Sequence, residues 1–277
     1  MNANGDITSG AFTFPKFIWS TLIPRVTQIA KTFFSEVFEG MSWEYFISLP
    51  VRVADWAKLE ATVVTEETSI ALHDLVVKEN VDSVLAHLQS IAELCLFGLG
   101  VGAVRHEEIL RLTVRSFQWH NSYLYYWTES LKQGSLKGSN KHPKIIEHRL
   151  SLTLSRIFLL LRYALVASGR VGIDGLIPTD LPGASMLLLV REIFEFDCIP
   201  HTLNIRHFFT SVGNILLPEN IFDAMDGTLV SNISLTEKSG HTQATGRRAY
   251  GTYLENSDEY IYDLYHKALG EPSMDPP

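Results

Sequence analysis

A single break in an otherwise helical pattern restricts the fold of this chain more than any other feature. Apolar residues recur at helical spacing over residues 80–98, where they share one helix face. Residues 117–127 then become rich in aromatic side chains, with His120-Asn121-Ser122 at the centre as a turn between two strands. Further helices are predicted over residues 150–168, 186–196, 205–217 and 258–269. The sequence therefore predicts a mainly α fold with a small β-hairpin or sheet.

The first 79 residues differ from the remainder of the chain. Residues 1–11 are mostly polar, and we expect them to be disordered. Residues 12–39, 42–60 and 65–78 carry apolar residues at helical spacing. We therefore predict an N-terminal helical region over residues 1–79 and a larger domain over residues 80–277.

Charge is distributed unevenly along the chain. The formal net charge of −8 argues by itself against a nucleic-acid partner. Residues 101–170, however, hold 11 Lys and Arg against 4 Asp and Glu, a net of +7, so the remaining chain carries −15. Such a basic block is what contacts to phosphate require, and a solvated charged face explains it equally well.

Membrane and secreted classes do not fit this sequence. The longest apolar run, residues 157–169, is interrupted by Arg162 and is shorter than the roughly 20 residues that span a bilayer. Residues 1–10 lack the pattern of a secretory signal. The two cysteines, Cys95 and Cys198, lie in apolar surroundings, and we expect both to be buried thiols in a reducing compartment.

The first of three segments suited to phosphate chemistry surrounds Arg105. Gly102 precedes this arginine, and Glu108, Ile109 and Leu112 follow it at spacings that place them on the same side of a helix. An exposed arginine at the start of an amphipathic helix would show the same pattern.

The second segment centres on Arg206, which stands at the start of a helix of apolar and small residues. Taken alone, this arginine is more simply explained as a charged residue at a helix edge. It lies 101 residues after Arg105, which leaves room for a hairpin and two helices between the two arginines.

The third segment is Gly240-His241-Thr242, followed by Tyr250 nine residues after the histidine. An ordinary loop with an unrelated histidine and tyrosine is the alternative, because motifs this short often occur by chance. His241 follows Arg206 by 35 residues.

Together and in this order, the three segments resemble the motifs of the tyrosine recombinase (phage integrase) family. The resemblance covers about residues 80–264. With residues 144–150 included, it looks most like the recombinase-like domains of fungal mobile elements of the Crypton type. It implies a recombinase-like catalytic domain over residues 80–277, with residues 1–79 as a partial core-binding region.

The resemblance also implies a role for each residue. Tyr250 would attack a DNA phosphate and form a 3′-phosphotyrosine bond. Arg105 and Arg206 would clamp the phosphate oxygens, helped by a hydrogen bond from His241. Lys132, just after the predicted hairpin, would protonate the departing 5′ oxygen. This chemistry needs neither a metal ion nor a cofactor.

Three further basic residues and one departure complete the comparison with the family. Lys137 is the alternative to Lys132 as the proton donor. Lys137, Arg247 and Arg248 are also candidates for contacts to neighbouring phosphates. A solvated helix start explains the two arginines equally well. Leu203 stands where the family usually has a histidine, three residues before Arg206. His201 and His207 are its nearest substitutes in the sequence.

Three functions follow as hypotheses. The first is an enzyme that breaks and rejoins double-stranded DNA as a homo-oligomer, without a membrane partner, in the nucleus of a eukaryote or otherwise in the cytoplasm. The second is a catalytically inactive DNA-binding relic of a mobile element, which Leu203 favours. The third is a helical interaction protein with no role on DNA, which the net charge favours.

Overall fold

The computed structural model describes residues 2–37, 43–44, 81–100, 104–130, 144–167, 185–216 and 258–272. These residues form helices packed around a three-stranded antiparallel sheet, with a separate two-stranded hairpin near the N-terminus. The helices are α1 (Lys16–Trp19), α2 (Leu22–Val37), α3 (Val81–Leu94), α4 (His106–Ile109), α5 (Leu152–Ala167), α6 (Met186–Phe194), α7 (Thr202–Leu216) and α8 (Asp258–Ala268). The strands are β1 (Ile7–Ser9), β2 (Phe12–Phe14), β3 (Phe117–His120), β4 (Tyr123–Ser130) and β5 (Lys144–Arg149). The prediction of a helical fold with a small sheet is confirmed.

The predicted hairpin of residues 117–127 is present as β3 and β4. Its two turn residues, Asn121 and Ser122, have positive φ angles of 48° and 67°. This is the turn geometry that matches the twist of two-residue hairpins. The sequence analysis did not predict β5, which pairs with β4 and completes the order β3-β4-β5. The connection between β4 and β5 contains Lys132 and Lys137 and lies outside the described residues.

A wide π-helical turn, Cys95–Leu99, continues α3 and joins three parts of the core. The hydroxyl of Tyr126 on β4 donates to the carbonyl of Leu96 at 2.8 Å. From α8, the hydroxyl of Tyr265 donates to the carbonyl of Gly98 at 2.6 Å, and Nε2 of His266 bonds the carbonyl of Leu99 at 2.9 Å. All three bonds are buried, and they satisfy carbonyl groups of the last helical turn that have no partner within the helix.

Helix α7 packs against the same turn through a close approach at Gly98. A Cβ atom at this position would lie 2.1 Å from the ring of Phe209. Glycine is therefore required for α7 to lie this near to the turn. The sheet, α7 and α8 thus converge on the segment that leads from α3 to Arg105.

The expectation that residues 1–11 are disordered is wrong, and the first strand of β1–β2 lies among them. Phe14 stacks on Phe208 of α7 with ring centroids 4.3 Å apart. The side-chain amide of Asn204 donates to the carbonyl of Ser9 at 3.1 Å. Ile7 and Phe14 are buried in the same core as α3, α5 and α7. The N-terminal hairpin is ordered by these long-range contacts, which no local pattern in residues 1–11 reveals.

Other parts of the N-terminal prediction fall largely outside the described residues. The proposed boundary at residue 79 lies there, as do the helices predicted over residues 42–60 and 65–78, apart from Trp43 and Glu44. Residues 16–19 and 22–37 are helical, as predicted from the spacing of residues 12–39, but the prediction is wrong for residues 12–14, which pair with β1 as strand β2.

The two cysteines have different environments. Cys95 is buried in the π-helical turn, and this burial raises the pKa of its thiol to about 12. The expectation that Cys198 is also buried is wrong, because it is exposed in the turn between α6 and α7. No helix in the described segments has both the length and the apolar character needed to cross a bilayer.

Candidate functional site

Arg105 lies at the start of α4, where Glu108 fixes its position. The backbone of Arg105 is extended, with φ −82° and ψ 145°, and its N–H donates to Oε2 of Glu108 at 3.0 Å. The other carboxylate oxygen, Oε1, lies 3.9 Å from Nη1 of the same arginine. Glu108 is itself 6% exposed. A single buried carboxylate therefore accepts the backbone bond at the helix start and faces the guanidinium.

Arg206 lies in the second turn of α7, with its side chain partly buried. Burial lowers the pKa of Arg206, and the positive charge of Arg105 lowers it further, while the negative charge of Glu108 raises it. The structure thus brings together, within electrostatic range, two arginines that are 101 residues apart in the sequence. We call Arg105, Arg206 and Glu108 the arginine pair site.

The three side chains of the arginine pair site carry two positive charges and one negative charge. The positive charge of Arg105 disfavours the charged form of Arg206, and the negative charge of Glu108 favours it. An anion bound between the arginines would remove this repulsion, and the planar guanidinium fork suits phosphate or carboxylate oxygens. The arrangement favours an anionic ligand.

His106 follows Arg105 in the chain, and the sequence analysis did not identify it as a site residue. Nε2 of His106 lies 4.0 Å from Oε2 of Glu93 on α3. Glu93 is held in place by a buried 2.8 Å hydrogen bond from the side-chain amide of Gln89. The carboxylate of Glu93 raises the pKa of His106, so the protonated form of His106 is stabilised. The adjacency of a histidine to Arg105 was the only signal available in the sequence.

A groove of about 500 Å³ adjoins the arginine pair site. Its lining residues are Glu108, Arg111, Leu112, Arg115, Ser116, Trp127, Glu129 and Ile145. We call it the outer groove. It shares Glu108 with the arginine pair site. Two other lining residues, Glu129 and Ile145, pair across the sheet next to the connection that contains Lys132.

The residues around Arg206 on α7 do not include a buried histidine. The helix begins at Thr202, earlier than predicted, so Leu203 lies within it, one turn before Arg206. The Leu203 side chain is 61% exposed. His201 and His207 are also exposed. The position three residues before Arg206 therefore presents an apolar side chain to solvent.

Six of the predicted site residues lie outside the part of the chain that the structure describes. They are Lys132, Lys137, His241, Arg247, Arg248 and Tyr250. Their approach to the arginine pair site stays a prediction. Helix α8 begins eight residues after Tyr250, and it packs against α7, which carries Arg206. Eight residues span at most about 28 Å, so α8 limits how far Tyr250 can lie from this region.

Arg149 at the end of β5 has a different environment from the arginine pair. It is 1% exposed, and its guanidinium lies 4.1 Å from the ring centre of Tyr123 and 4.9 Å from that of Tyr262. It also forms an ion pair with Asp263 of α8. These contacts tie α8 to the sheet, so Arg149 has a structural role.

Comparison with models of known protein families, with curated proteins and with solved structures finds no match. Within the described segments, no three His, Cys, Asp or Glu side chains are grouped as a metal ion would require.

Proposed function

We propose that this protein is a DNA breaking and rejoining enzyme of the tyrosine recombinase type, with a catalytic domain related to that family in fold. The observation that carries the proposal is the arginine pair site. Arg105 and Arg206 belong to two separate sequence motifs. The positive charge of Arg105 lowers the pKa of Arg206, as expected if both arginines belong to one site. Two unrelated helix-edge arginines would have no reason to lie close together, since like charges repel.

The chemistry of phosphodiester cleavage fits this site. Attack on phosphorus increases the negative charge on its non-bridging oxygens, and two preorganised guanidiniums stabilise that charge. The phenolate of Tyr250 would form the new bond to phosphorus as the bond to the 5′ oxygen breaks. Lys132 would give its proton to that oxygen. Tyrosine has an ordinary pKa of about 10, so positive charge nearby must favour its ionised form.

The arrangement of elements supports the same proposal. The lining of the outer groove includes Glu108 of the arginine pair site, and it includes Glu129 and Ile145, which lie next to the connection that contains Lys132. A DNA strand along the groove would have a phosphate near the arginines at one end and a lysine near the other. Helix α8, which follows Tyr250, packs on α7 and the sheet.

The proposed partner is double-stranded DNA, bound by a homo-oligomer, in the nucleus if the source is eukaryotic. Arg111 and Arg115, both exposed, belong to the basic block of residues 101–170 and line the outer groove. The rest of the chain carries −15, so we expect modest affinity that falls steeply as salt rises.

A catalytically inactive DNA-binding protein is the second candidate function. Leu203 favours it, because an exposed leucine cannot donate a hydrogen bond to a phosphate oxygen. On this reading, the arginine pair binds the DNA backbone and Tyr250 has no chemical role.

A covalent-adduct experiment tests the enzyme directly. The full chain is incubated with dye-labelled nicked duplexes whose central sequence is randomised, and the products are separated under denaturing conditions. The nick releases the short 5′-hydroxyl strand after cleavage, which prevents rejoining and accumulates the covalent complex. We expect a labelled band at the protein's position in the wild type and none in Tyr250→Phe.

Two further variants sharpen this experiment. Tyr253→Phe is the matched control, because it removes a nearby tyrosine hydroxyl and should leave the adduct intact. Arg206→Met should reduce the adduct strongly. DNA binding without any adduct, equal in the wild type and in Tyr250→Phe, would select the inactive binding protein. Absence of salt-sensitive binding to any DNA would refute both functions.

A further inference from the structure

We propose that the outer groove binds a single unpaired nucleotide, whose base stacks on Trp127 and whose flanking phosphates contact Arg111 and Arg115. This inference rests on the proposed function only in taking nucleic acid as the partner. It adds a site at which the protein would distinguish distorted from fully paired DNA, next to the arginine pair site.

Trp127 provides an aromatic wall for this site. Side chains alternate along β4, so Tyr125, Trp127 and Glu129 share the outer face of the sheet. Helix α8 contacts one end of this face, where the Tyr262 ring lies 6.4 Å from that of Tyr125. Trp127 instead lines the groove and is only partly buried. An indole face in such a groove is suited to stacking on a base.

The apolar side chains around Trp127 would gain from a bound base. Ile145 lies on the neighbouring strand, lines the groove and is 65% exposed. Leu112 is buried at the groove wall. A base placed between Trp127 and Ile145 would remove apolar surface from water on both of its sides. The cavity of about 500 Å³ lies within the roughly 300–1,000 Å³ range of small-molecule sites.

The charged side chains of the groove match the remaining parts of a nucleotide. Arg111 and Arg115 are exposed and carry guanidiniums suited to phosphate oxygens. Glu129 is exposed beside Trp127 and can accept a hydrogen bond from an amino group at the edge of a base. Glu108, the other carboxylate of the groove, faces Arg105 instead. The lining of the groove therefore combines the aromatic, cationic and carboxylate groups that a nucleotide can contact.

A binding comparison between two DNA molecules tests the inference. One is a dye-labelled short duplex, and the other is the same duplex with one extra unpaired base. Binding of the full chain is followed by fluorescence anisotropy at low salt. We expect the duplex with the unpaired base to bind about tenfold more tightly, because stacking of one base on an aromatic side chain has an effect of this size.

Substitutions in the groove show whether Trp127 is responsible. Trp127→Ala should abolish the tenfold preference, and Trp127→Phe, which keeps an aromatic face, should retain most of it. Arg111→Glu should weaken binding to both duplexes. Arg25→Glu is the matched control for charge, since Arg25 lies on α2 and does not line the groove, and it should preserve the preference.

The outcomes separate this inference from the proposed function. Equal affinity of the wild type for both duplexes, or a preference that survives in a folded Trp127→Ala, overturns the inference and leaves the proposed function standing. If Trp127→Ala does not fold, Glu129→Leu replaces it, because Glu129 is exposed and leucine cannot accept a hydrogen bond. The wild type should bind unpaired adenine and unpaired thymine with different affinities, and this difference should disappear in Glu129→Leu. A difference that persists overturns the inference. Failure to bind either duplex overturns the proposed function as well.

Discussion

Replacing Arg206 with methionine should make the protein less active without making it less stable. Methionine keeps an unbranched apolar chain on α7 and removes the guanidinium. Burial and the charge of Arg105 both lower the pKa of Arg206, which means that the folded state holds this charge at a free-energy cost. Glu108 offsets only part of that cost. We expect the free energy of unfolding to stay equal or to rise by about 0.5–2 kcal/mol, as at other sites where function opposes stability.

The expected loss of activity is much larger. A donor aimed at charge that develops during the reaction contributes about 3–4 kcal/mol, or roughly 10²–10³-fold in rate. Arg206→Met should therefore slow formation of the covalent adduct by this factor. If Arg206→Met raises stability and lowers activity, the guanidinium of Arg206 serves ligand binding and not the stability of the fold.

Arg149→Met is the contrasting variant, because Arg149 is buried by structural contacts. Removing its guanidinium breaks the ion pair with Asp263 and the stacking on Tyr123 and Tyr262. Loss of one partner of a buried pair costs about 3–5 kcal/mol. The Asp263 side chain is 65% exposed and can be rehydrated, so we expect the lower end, about 3 kcal/mol.

The measurement is urea unfolding at pH 7, followed by circular dichroism, with the free energy of unfolding extrapolated to water. If the free energy of unfolding changes with urea concentration by the same slope in each variant, the same amount of surface becomes exposed on unfolding. If the free energy of unfolding of Arg206→Met fell by more than about 1 kcal/mol, the contacts of Arg206 would stabilise the folded state. An arginine pair that is held together to bind an anion would then be refuted.

Three further predictions concern the core and α7. Burial, followed by the charge of Arg149, lowers the pKa of His266 to about 3, whereas an unfolded histidine titrates near 6.5. Between these two pH values the unfolded state binds one more proton than the folded state, so His266 contributes stability above pH 6.5 that is lost as pH falls. Below pH 6 the free energy of unfolding should fall by about 1.4 kcal/mol for each pH unit, and this fall should be smaller in His266→Gln. Gly98→Ala should cost about 3 kcal/mol in urea unfolding, because its Cβ would lie 2.1 Å from the Phe209 ring, and Phe209→Ala should recover part of this loss. Leu203→His should increase the rate of adduct formation while changing stability by less than about 0.5 kcal/mol, since Leu203 is 61% exposed; an unchanged rate would show that this position does not limit catalysis.

Local patterns in the sequence predicted the local structure well. The hairpin follows from aromatic residues on both sides of Asn121 and Ser122, and asparagine accepts a positive φ angle more readily than most residues. The helices around residues 81–94, 152–167, 186–194 and 258–268 follow from apolar spacing, which depends only on neighbouring residues. Errors occurred where distant contacts decide the outcome. β1 pairs with β2 and packs on α7, and β5 is stabilised as a strand by pairing with β4.

By itself, the sequence determined which residues have the chemistry for a phosphate site and the order in which they occur. It could not determine that Arg105 and Arg206 lie near one another, because 101 residues separate them and no local rule relates the two helices. That proximity depends on the packing of α7 against the π-helical turn at Gly98, and on the bonds from Tyr126, Tyr265 and His266 to its carbonyls. Helix periodicity depends only on residues that are close together in the sequence. Two like charges lie near one another only when the free energy gained by burying apolar surface in the core exceeds their repulsion.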